Sequence, residues 1–393
     1  MKRKIAIVRG PGLSKWEMRI YEPLTEWFDL TAIGTTKAVN DIQNIQFPIK
    51  QLTCIPQYFA SMPKLISIMY TLFGDTQWLN GFDKAVAGSD IVHSVELFNG
   101  YSLQAVRAKK KGLVKAVTLT IHENIPFLYD NYAVKMSLKQ EVVEGTDRFL
   151  AINKMSREML LLEGVDEKRI SVIPQSVDTS VFHPSTVADK IHLKKLRKKY
   201  NLSENDFVVL AVGRMVWEKG WYDLIPAALR VSKKLKNVKF LFIGSGPEKE
   251  YLETFSKRHG LNEVITFMTL PYSQMDSMFR IADLFVYPSL PTSKWNAQFG
   301  GGVLTEAMSS GLPIVATLNG GVIDLVGKEG GIFLQPQRFS DLADAIIKFA
   351  HDPKLRHKTG MRNRKTALSL YGPHMVAKQI KKQWDMVLEE KRQ

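Results

Sequence analysis

Of 393 residues only one is a cysteine, Cys54. That excludes an internal disulfide framework and a zinc site built from several thiolates, and it fits a reducing compartment. The ordinary reading of Cys54 is a small, half-buried apolar residue. No apolar run approaches the roughly 18 to 20 residues that a membrane-spanning helix needs. The opening MKRKIAIVRG leads directly into a strand-like pattern with no signal-peptide core, so a soluble, cytoplasmic chain is expected. Several chemistries also lack their signature. There is no P-loop lysine motif, no HExxH pair, no paired metal-ligand cluster and no nucleophile elbow of the GxSxG kind, which argues against a P-loop kinase, a zinc hydrolase and a serine esterase. Low-complexity tracts are missing too, and with 45% hydrophobic and 24% charged residues the composition is that of a chain folded throughout.

Acidic residues are scarce relative to basic ones: 39 Asp and Glu against 54 Lys and Arg leave a net charge of +15. The basic residues cluster at Lys109, Lys110 and Lys111 and again across Lys194, Lys195, Arg197, Lys198 and Lys199. An anionic partner is implied. Nucleic acid, acidic lipid and a phosphorylated small substrate all satisfy that sign, and a solvated helix face accounts for each cluster without any partner. No base-reading motif accompanies the charge, so nucleic acid is not an expected partner.

A chain of this length suits two domains of about two hundred residues each. Short apolar β-rich runs recur, each followed by a longer segment with helical spacing, as a parallel sheet with crossover helices requires. The expected fold class is therefore α/β. In the first half the runs are residues 4–9, 28–33, 91–95, 117–121, 149–152 and 170–173; after a polar, basic connection near 185–204 they are 207–212, 239–243, 264–268, 284–287, 313–316 and 331–334. The expected domains are 1–184 and 185–373, both Rossmann-like, with a C-terminal amphipathic helix over 374–393 that caps the second domain or crosses back to the first. Ligands of open parallel sheets lie beyond the carboxyl ends of the strands, so two facing sheets are expected to place the function in a cleft.

Three constellations carry chemistry. Val209-Leu-Ala-Val-Gly-Arg214 ends a strand and Met215-Val-Trp-Glu-Lys219-Gly220 leads into a helix. Arg214 and Lys219 there are able to clasp a diphosphate, one as a planar fork and the other as a compact charge; two surface cations are the plain alternative. Next comes Gln298-Phe-Gly-Gly-Gly-Val-Leu-Thr-Glu306-Ala-Met-Ser-Ser-Gly311-Leu-Pro313. Here glycines precede a short helix, and backbone N–H groups at Gly300, Gly301 and Gly302 together with the helix dipole favour a phosphate. Glu306, one turn inside, suits two ribose hydroxyls, or is an ordinary exposed helix glutamate. The third is His122, which follows a strand of the first domain in Thr118-Leu-Thr-Ile-His-Glu-Asn124; a satisfied structural histidine is the alternative. The glycine turns Gly10-Pro11-Gly12, Gly244-Ser245-Gly246 and Gly320-Gly321 each follow a strand and suit close backbone approach to a ligand.

Taken together, and in this order, these segments resemble the retaining family 4 glycosyltransferases (glycosyl transferases group 1) of GT-B architecture. The stretch Ile170-Ser-Val-Ile-Pro-Gln-Ser-Val-Asp178-Thr-Ser-Val-Phe182-His-Pro184 is similar to their strand into the interdomain connection, Gly213-Arg214 with Lys219-Gly220 to their diphosphate clamp, and Phe299 through Glu306 with Gly311-Leu-Pro313 to their donor-binding helix. Coverage is strong from about 117 to 335 and weaker before. The resemblance implies transfer of a sugar from a UDP- or GDP-linked donor to an acceptor hydroxyl, with retained anomeric configuration and no cofactor or essential metal. It implies that Arg214 and Lys219 stabilise the leaving diphosphate, that Glu306 holds the ribose and that His122 touches the donor sugar. Gly12, Gly244, Phe299, Gly300, Gly301, Gly302, Val303 and Leu304 would complete the donor contacts.

One position departs from the family pattern. Its first glutamate stands eight residues before the second, beside a Phe-Gly pair; here that count gives Gln298, and alignment on Phe299-Gly300 gives Ala297. Gln298 is able to bond sugar hydroxyls but supplies no charge beside a developing cation. A non-catalytic nucleotide-sugar-binding or scaffold subunit is accordingly the alternative, and an epimerase on the same architecture is a further one. Gln175-Ser176 and Asn153 are milder departures. The acceptor, a glycan, a lipid-linked or a small molecule, is expected on the first domain. There the stretch 56–78 combines Tyr58, Phe59, Met62, Leu65, Ile66, Ile68, Met69, Tyr70, Leu72, Phe73 and Trp78 with Lys64. It reads as a core helix or as an apolar face that, beside Lys109, Lys110 and Lys111, contacts an anionic bilayer at the inner membrane face.

Overall fold

The computed structural model describes the chain except residues 38–40, 55–57, 60, 61, 63, 66, 67, 70–74, 76, 129, 131, 292–300 and 393. It divides into two compact units, Met1–Gln175 with Pro373–Gln393, and Ser176–Gly372. The division falls before Ser176, not at 184/185, for a local reason. Val177 and Phe182 belong to the core of the second unit, and the Arg364 guanidinium of that unit donates to the carbonyls of Thr179 and Phe182.

Unit 1 is a seven-stranded sheet in the order β3-β2-β1-β4-β5-β6-β7. Its strands are β1 (Arg3–Gly10), β2 (Phe28–Thr35), β3 (Ile49–Leu52), β4 (Ile91–Val95), β5 (Ala116–Ile121), β6 (Arg148–Ala151) and β7 (Ile170–Val172). Every pairing is parallel. Parallel pairing needs crossover connections, and these include α1 (Gly100–Lys110), α2 (Ala133–Gly145) and α3 (Lys154–Leu162). The strands bury both faces, so alternate residues serve different cores. Ile5 and Ile7 of β1 face a cluster containing Tyr21, Phe28 and Trp384, while Ala6 and Val8 face one containing Tyr101, Ala105 and Val106.

Unit 2 repeats the plan with six strands in the order β10-β9-β8-β11-β12-β13. They are β8 (Phe207–Val212), β9 (Val238–Ile243), β10 (Ile265–Met268), β11 (Leu284–Tyr287), β12 (Ile314–Thr317) and β13 (Gly331–Leu334), again all parallel. Its helices include α4 (Lys190–Lys199), α5 (Trp221–Lys234), α6 (Lys249–Arg258), α7 (Met275–Ile281), α8 (Gly301–Ser309), α9 (Phe339–His351) and α10 (Pro353–Thr366). Val208 and Leu210 point to α7 and α8, whereas Val209 and Ala211 point to α5 and α9. The last helix, α11 (Pro373–Glu390), packs in unit 1: Trp384 is fully buried, stacked on Tyr21 at 6.3 Å between ring centroids and edge-on to Phe28.

Two parallel sheets with flanking helices form an α/β architecture, and in each the strand order reverses once, between β1 and β4 and between β8 and β11. Such reversals are where the loops leaving the carboxyl ends diverge and leave room for a ligand. No described helix is long and apolar enough to cross a membrane.

Candidate functional site

In unit 2 the chain leaves β8 at Val212 and turns at Arg214. The Arg214 carbonyl accepts from the Trp221 indole N–H at 2.8 Å, which ties the turn to the start of α5, while its guanidinium stays exposed and lies 3.4 Å from Glu218. Lys219 closes the following short turn. Its Nζ lies 5.8 Å from the centroid of Tyr287, the last residue of β11. Burial lowers the Lys219 ammonium to about 8, the Arg214 charge adds to that effect, and Glu218 opposes it. Gly220 has φ +73°, and a Cβ there would stand 1.9 Å from the Pro288 carbonyl oxygen. Only glycine permits that approach, and the approach is what sets Lys219 over the exit of β11.

Glu306 lies on α8, between β11 and β12. It is 7% exposed, accepts from the Tyr272 hydroxyl at 2.8 Å and is driven by burial up to about 8. The exposed-glutamate reading is therefore wrong for Glu306. A carboxyl kept out of water, on a helix beside the sheet's reversal, is the kind of group found at functional sites. At the start of α8, Gly301 is buried and the space around Gly302 is open. Val303 is half-buried, and Leu304 is fully buried among Leu210, Tyr287 and Ala307, so packing takes up its side chain. Gln298, Phe299 and Gly300 lie outside the described residues, as does Ala297.

The glycine turns divide by what surrounds them. A Cβ on Gly244 would lie 1.8 Å from the Gly213 carbonyl oxygen, and one on Gly246 2.3 Å from that of Met215. These two glycines let the β8 and β9 exits approach each other, so that close approach is to protein backbone. Gly12 meets only the Arg9 carbonyl, at 3.4 Å, whereas Gly10 has φ +51° and presses against the Tyr101 ring.

In unit 1, His122 follows β5. Its main-chain N–H and its Nδ1 both lie 2.9 Å from Oε1 of Glu96, and Oε2 of Glu96 accepts from the Glu123 N–H at 3.3 Å. Glu96 follows β4 and has φ +60°. Burial raises the Glu123 carboxyl; hydrogen bonds from the Ile125 and Asn124 N–H groups oppose this and the charge of Glu96 adds to it. Beneath the strand ends, His93 is fully buried with Tyr21, Thr118 and Thr120 as partners at 2.8 to 3.0 Å, and burial holds its imidazole well below the usual range.

Sequence reasoning missed Glu96 and Tyr272. Glu96 had a signal: like His122 it directly follows a strand. Tyr272 had none, because its pairing with Glu306 spans 34 residues and depends on the turn after β10. Among the described residues no group of three or more His, Cys, Asp or Glu is placed to hold a metal ion.

Two family profiles match the chain, Glycosyl transferases group 1 over residues 193–366 and Glycosyltransferase Family 4 over 49–181. Among relatives, the 2-deoxystreptamine N-acetyl-D-glucosaminyltransferase of Niallia circulans is 24% identical over 90% of this chain and 93% of its own. A GDP-mannose-dependent alpha-(1-6)-phosphatidylinositol monomannoside mannosyltransferase of Mycobacterium tuberculosis is 24% identical over 72% of this chain and 70% of its own. Among solved structures, Anabaena Alr3699/HepE in complex with UDP superposes with a TM-score of 0.75 at 17% identity, over 98% of this chain and 100% of its own. Sucrose-phosphate synthase from Thermosynechococcus elongatus gives 0.71 at 18% identity, over 99% of this chain and 100% of its own. The sheets, their reversals and these likenesses define a glycosyltransferase of GT-B type. The chain belongs to glycosyltransferase family 4.

Proposed function

We propose that this chain transfers a hexose or related sugar from a UDP- or GDP-linked donor to an acceptor hydroxyl, with retention of anomeric configuration and without a metal. The observation that carries the reading is the placement of Arg214 and the partly desolvated Lys219 at the carboxyl end of β8, at the reversal, with the buried Glu306 on the helix that follows β11. Breaking the bond from the anomeric carbon to the phosphate oxygen leaves an oxocarbenium-like sugar and concentrates negative charge on the departing diphosphate. Fixed cations there stabilise the transition state more than the ground state. Arg214 and Lys219 do this in place of a metal, Glu306 takes the ribose hydroxyls, and His122 contacts the sugar. A named UDP complex and a named GDP-mannose-dependent relative support the two donor classes.

The test is thermal-shift screening against UDP, GDP, ADP and their sugar conjugates, since a ligand of the folded form raises the melting temperature. Transfer or donor hydrolysis in the presence of EDTA follows, with the product anomer read by NMR. Intact turnover and binding in Arg214→Ala and Lys219→Ala would remove the clamp. Gln298, in place of the family's first carboxylate, supports a second reading as a non-catalytic donor-binding subunit, which tight donor binding without turnover on any acceptor would favour.

A further inference from the structure

We propose that Glu96 is a positioning residue for His122: it holds the imidazole with its proton on Nδ1 and so leaves Nε2 to accept a hydrogen bond from a hydroxyl of the transferred sugar. The proposal rests on the reading of His122 as a sugar contact. Three features of the carboxyl end of the unit 1 sheet support it. Glu96 adopts φ +60°, a left-handed backbone that side-chain-bearing residues rarely take, and its N–H is pinned to the Thr120 carbonyl at 3.0 Å. Non-glycine residues persist in that region where the surroundings over-determine them, commonly at working sites. The turn also brings one carboxylate across the exits of β4 and β5. Its Oε1 receives both the main chain and the ring of His122, and its Oε2 receives Glu123, so the backbone and side chain of His122 are fixed together.

The third feature is a contrast within the same sheet. His93 is fully buried, and both its nitrogens are occupied by Tyr21, Thr118 and Thr120. That is how a histidine serving only the core looks here. The His122 side chain is 28% exposed and that of Glu96 14%, and among the described residues Nε2 of His122 has no hydrogen-bond partner. A carboxylate has no proton to give, so Nδ1 is the donor in the pair, and a neutral ring then carries its lone pair on Nε2. The same tautomer logic governs histidines held by a buried carboxylate in acyl-transfer enzymes.

The experiment has two arms. In the first, the protein is labelled with ¹⁵N-histidine, and long-range nitrogen–proton spectra of ligand-free wild type and Glu96→Gln assign the His122 tautomer. The wild type is expected to show the Nδ1–H form, and Glu96→Gln, whose uncharged carbonyl oxygen is a weaker acceptor for Nδ1–H, a larger share of the Nε2–H form. A dominant Nε2–H form in the wild type overturns the proposal even if Glu96→Gln does not fold. In the second, hydrolysis of UDP-glucose, UDP-N-acetylglucosamine and GDP-mannose is followed by nucleoside diphosphate release. Glu96→Gln is expected to lower kcat/KM roughly 10- to 100-fold in an otherwise intact chain, and by less than about twofold in a His122→Ala background, because it acts only through the ring. Additive losses would mean that Glu96 serves the fold alone. Wild type that hydrolyses none of the three donors and gives no thermal shift with UDP or GDP defeats the transferase reading, while the spectra still decide the role of Glu96.

Discussion

Two ionisable residues of unit 2 have displaced proton affinities of opposite kind, and the signs make separate predictions. Lys219 titrates near 8 in the fold against an ordinary 10.5. Between those values the unfolded chain holds more protons than the native one, so the ligand-free protein gains stability as pH rises from about 8 to 10.5. On the proposed clamp, diphosphate binding uses the charged ammonium and should run the other way, with the affinity for UDP or GDP falling above pH 8. Calorimetric titrations across pH 7 to 9.5 read the second trend and denaturation curves the first, and Lys219→Met should remove both. Glu306 sits near 8 against an ordinary 4.5. The native state therefore keeps a proton that the unfolded state has lost, and stability falls as pH rises from 4.5 to 8. Glu306→Gln should accordingly be more stable than wild type at pH 8.5 and show little advantage at pH 4. The same variant should bind nucleoside diphosphate about tenfold more weakly, yet bind pyrophosphate as well as wild type, if the Glu306 carboxyl serves ribose hydroxyls.

At the scale of elements, the strands were legible because parallel sheets covered on both faces write themselves as short apolar runs. The ranges 91–95, 207–212, 284–287 and 331–334 coincide with β4, β8, β11 and β13. The strand β3, with sequence Ile-Lys-Gln-Leu, was missed because it is an edge strand, only half covered and lacking such a run. Contacts that the spacing of residues does not encode were illegible: Gly244 and Gly246 serve backbone packing, and the Tyr272–Glu306 pair is made by tertiary structure. Gly220 combines both kinds of information, a glycine in a motif and a steric requirement. Gly220→Ala meets a positive φ and the Pro288 carbonyl at once, so it should destabilise unit 2 by more than about 1 kcal/mol and weaken nucleotide binding by displacing Lys219. Among the helices, α11 buries Trp384 in the core of unit 1 beside Val376, Ile380 and Val387, and Trp384→Ala should cost about 3 to 5 kcal/mol by opening a cavity against Tyr21, Phe28 and His93. Urea denaturation followed by circular dichroism measures it.

At the scale of the whole molecule, the charge of +15 is compensated unevenly, and this bears on the expected membrane contact. Each lysine of the 109–111 cluster is ion-paired, Lys109 with Asp147, Lys110 with Glu141 and Lys111 with Asp83, but Asp147 is shared with Lys391 and Glu141 with Arg107, so the cluster singled out beside the apolar stretch 56–78 is compensated only in part. Of that stretch, Tyr58, Met62 and Ile68 are exposed and the remainder is partly outside the described residues. On α4, Lys194 pairs with Glu204 and Arg197 donates to carbonyls, while Lys190, Lys195, Lys198 and Lys199 have no carboxylate partner among the described residues, and Ile191 is 73% exposed. Anionic vesicles attract uncompensated charge, at about 1 kcal/mol per basic residue near the surface, and salt screens the attraction. Flotation with acidic liposomes at low salt should therefore survive replacement of Lys109, Lys110 and Lys111 by glutamine. It should weaken when Lys190, Lys195, Lys198 and Lys199 are replaced together, and disappear at high salt. Loss of flotation in the first variant and not the second would assign the contact to unit 1, and no flotation of the wild type would remove the membrane from its partners.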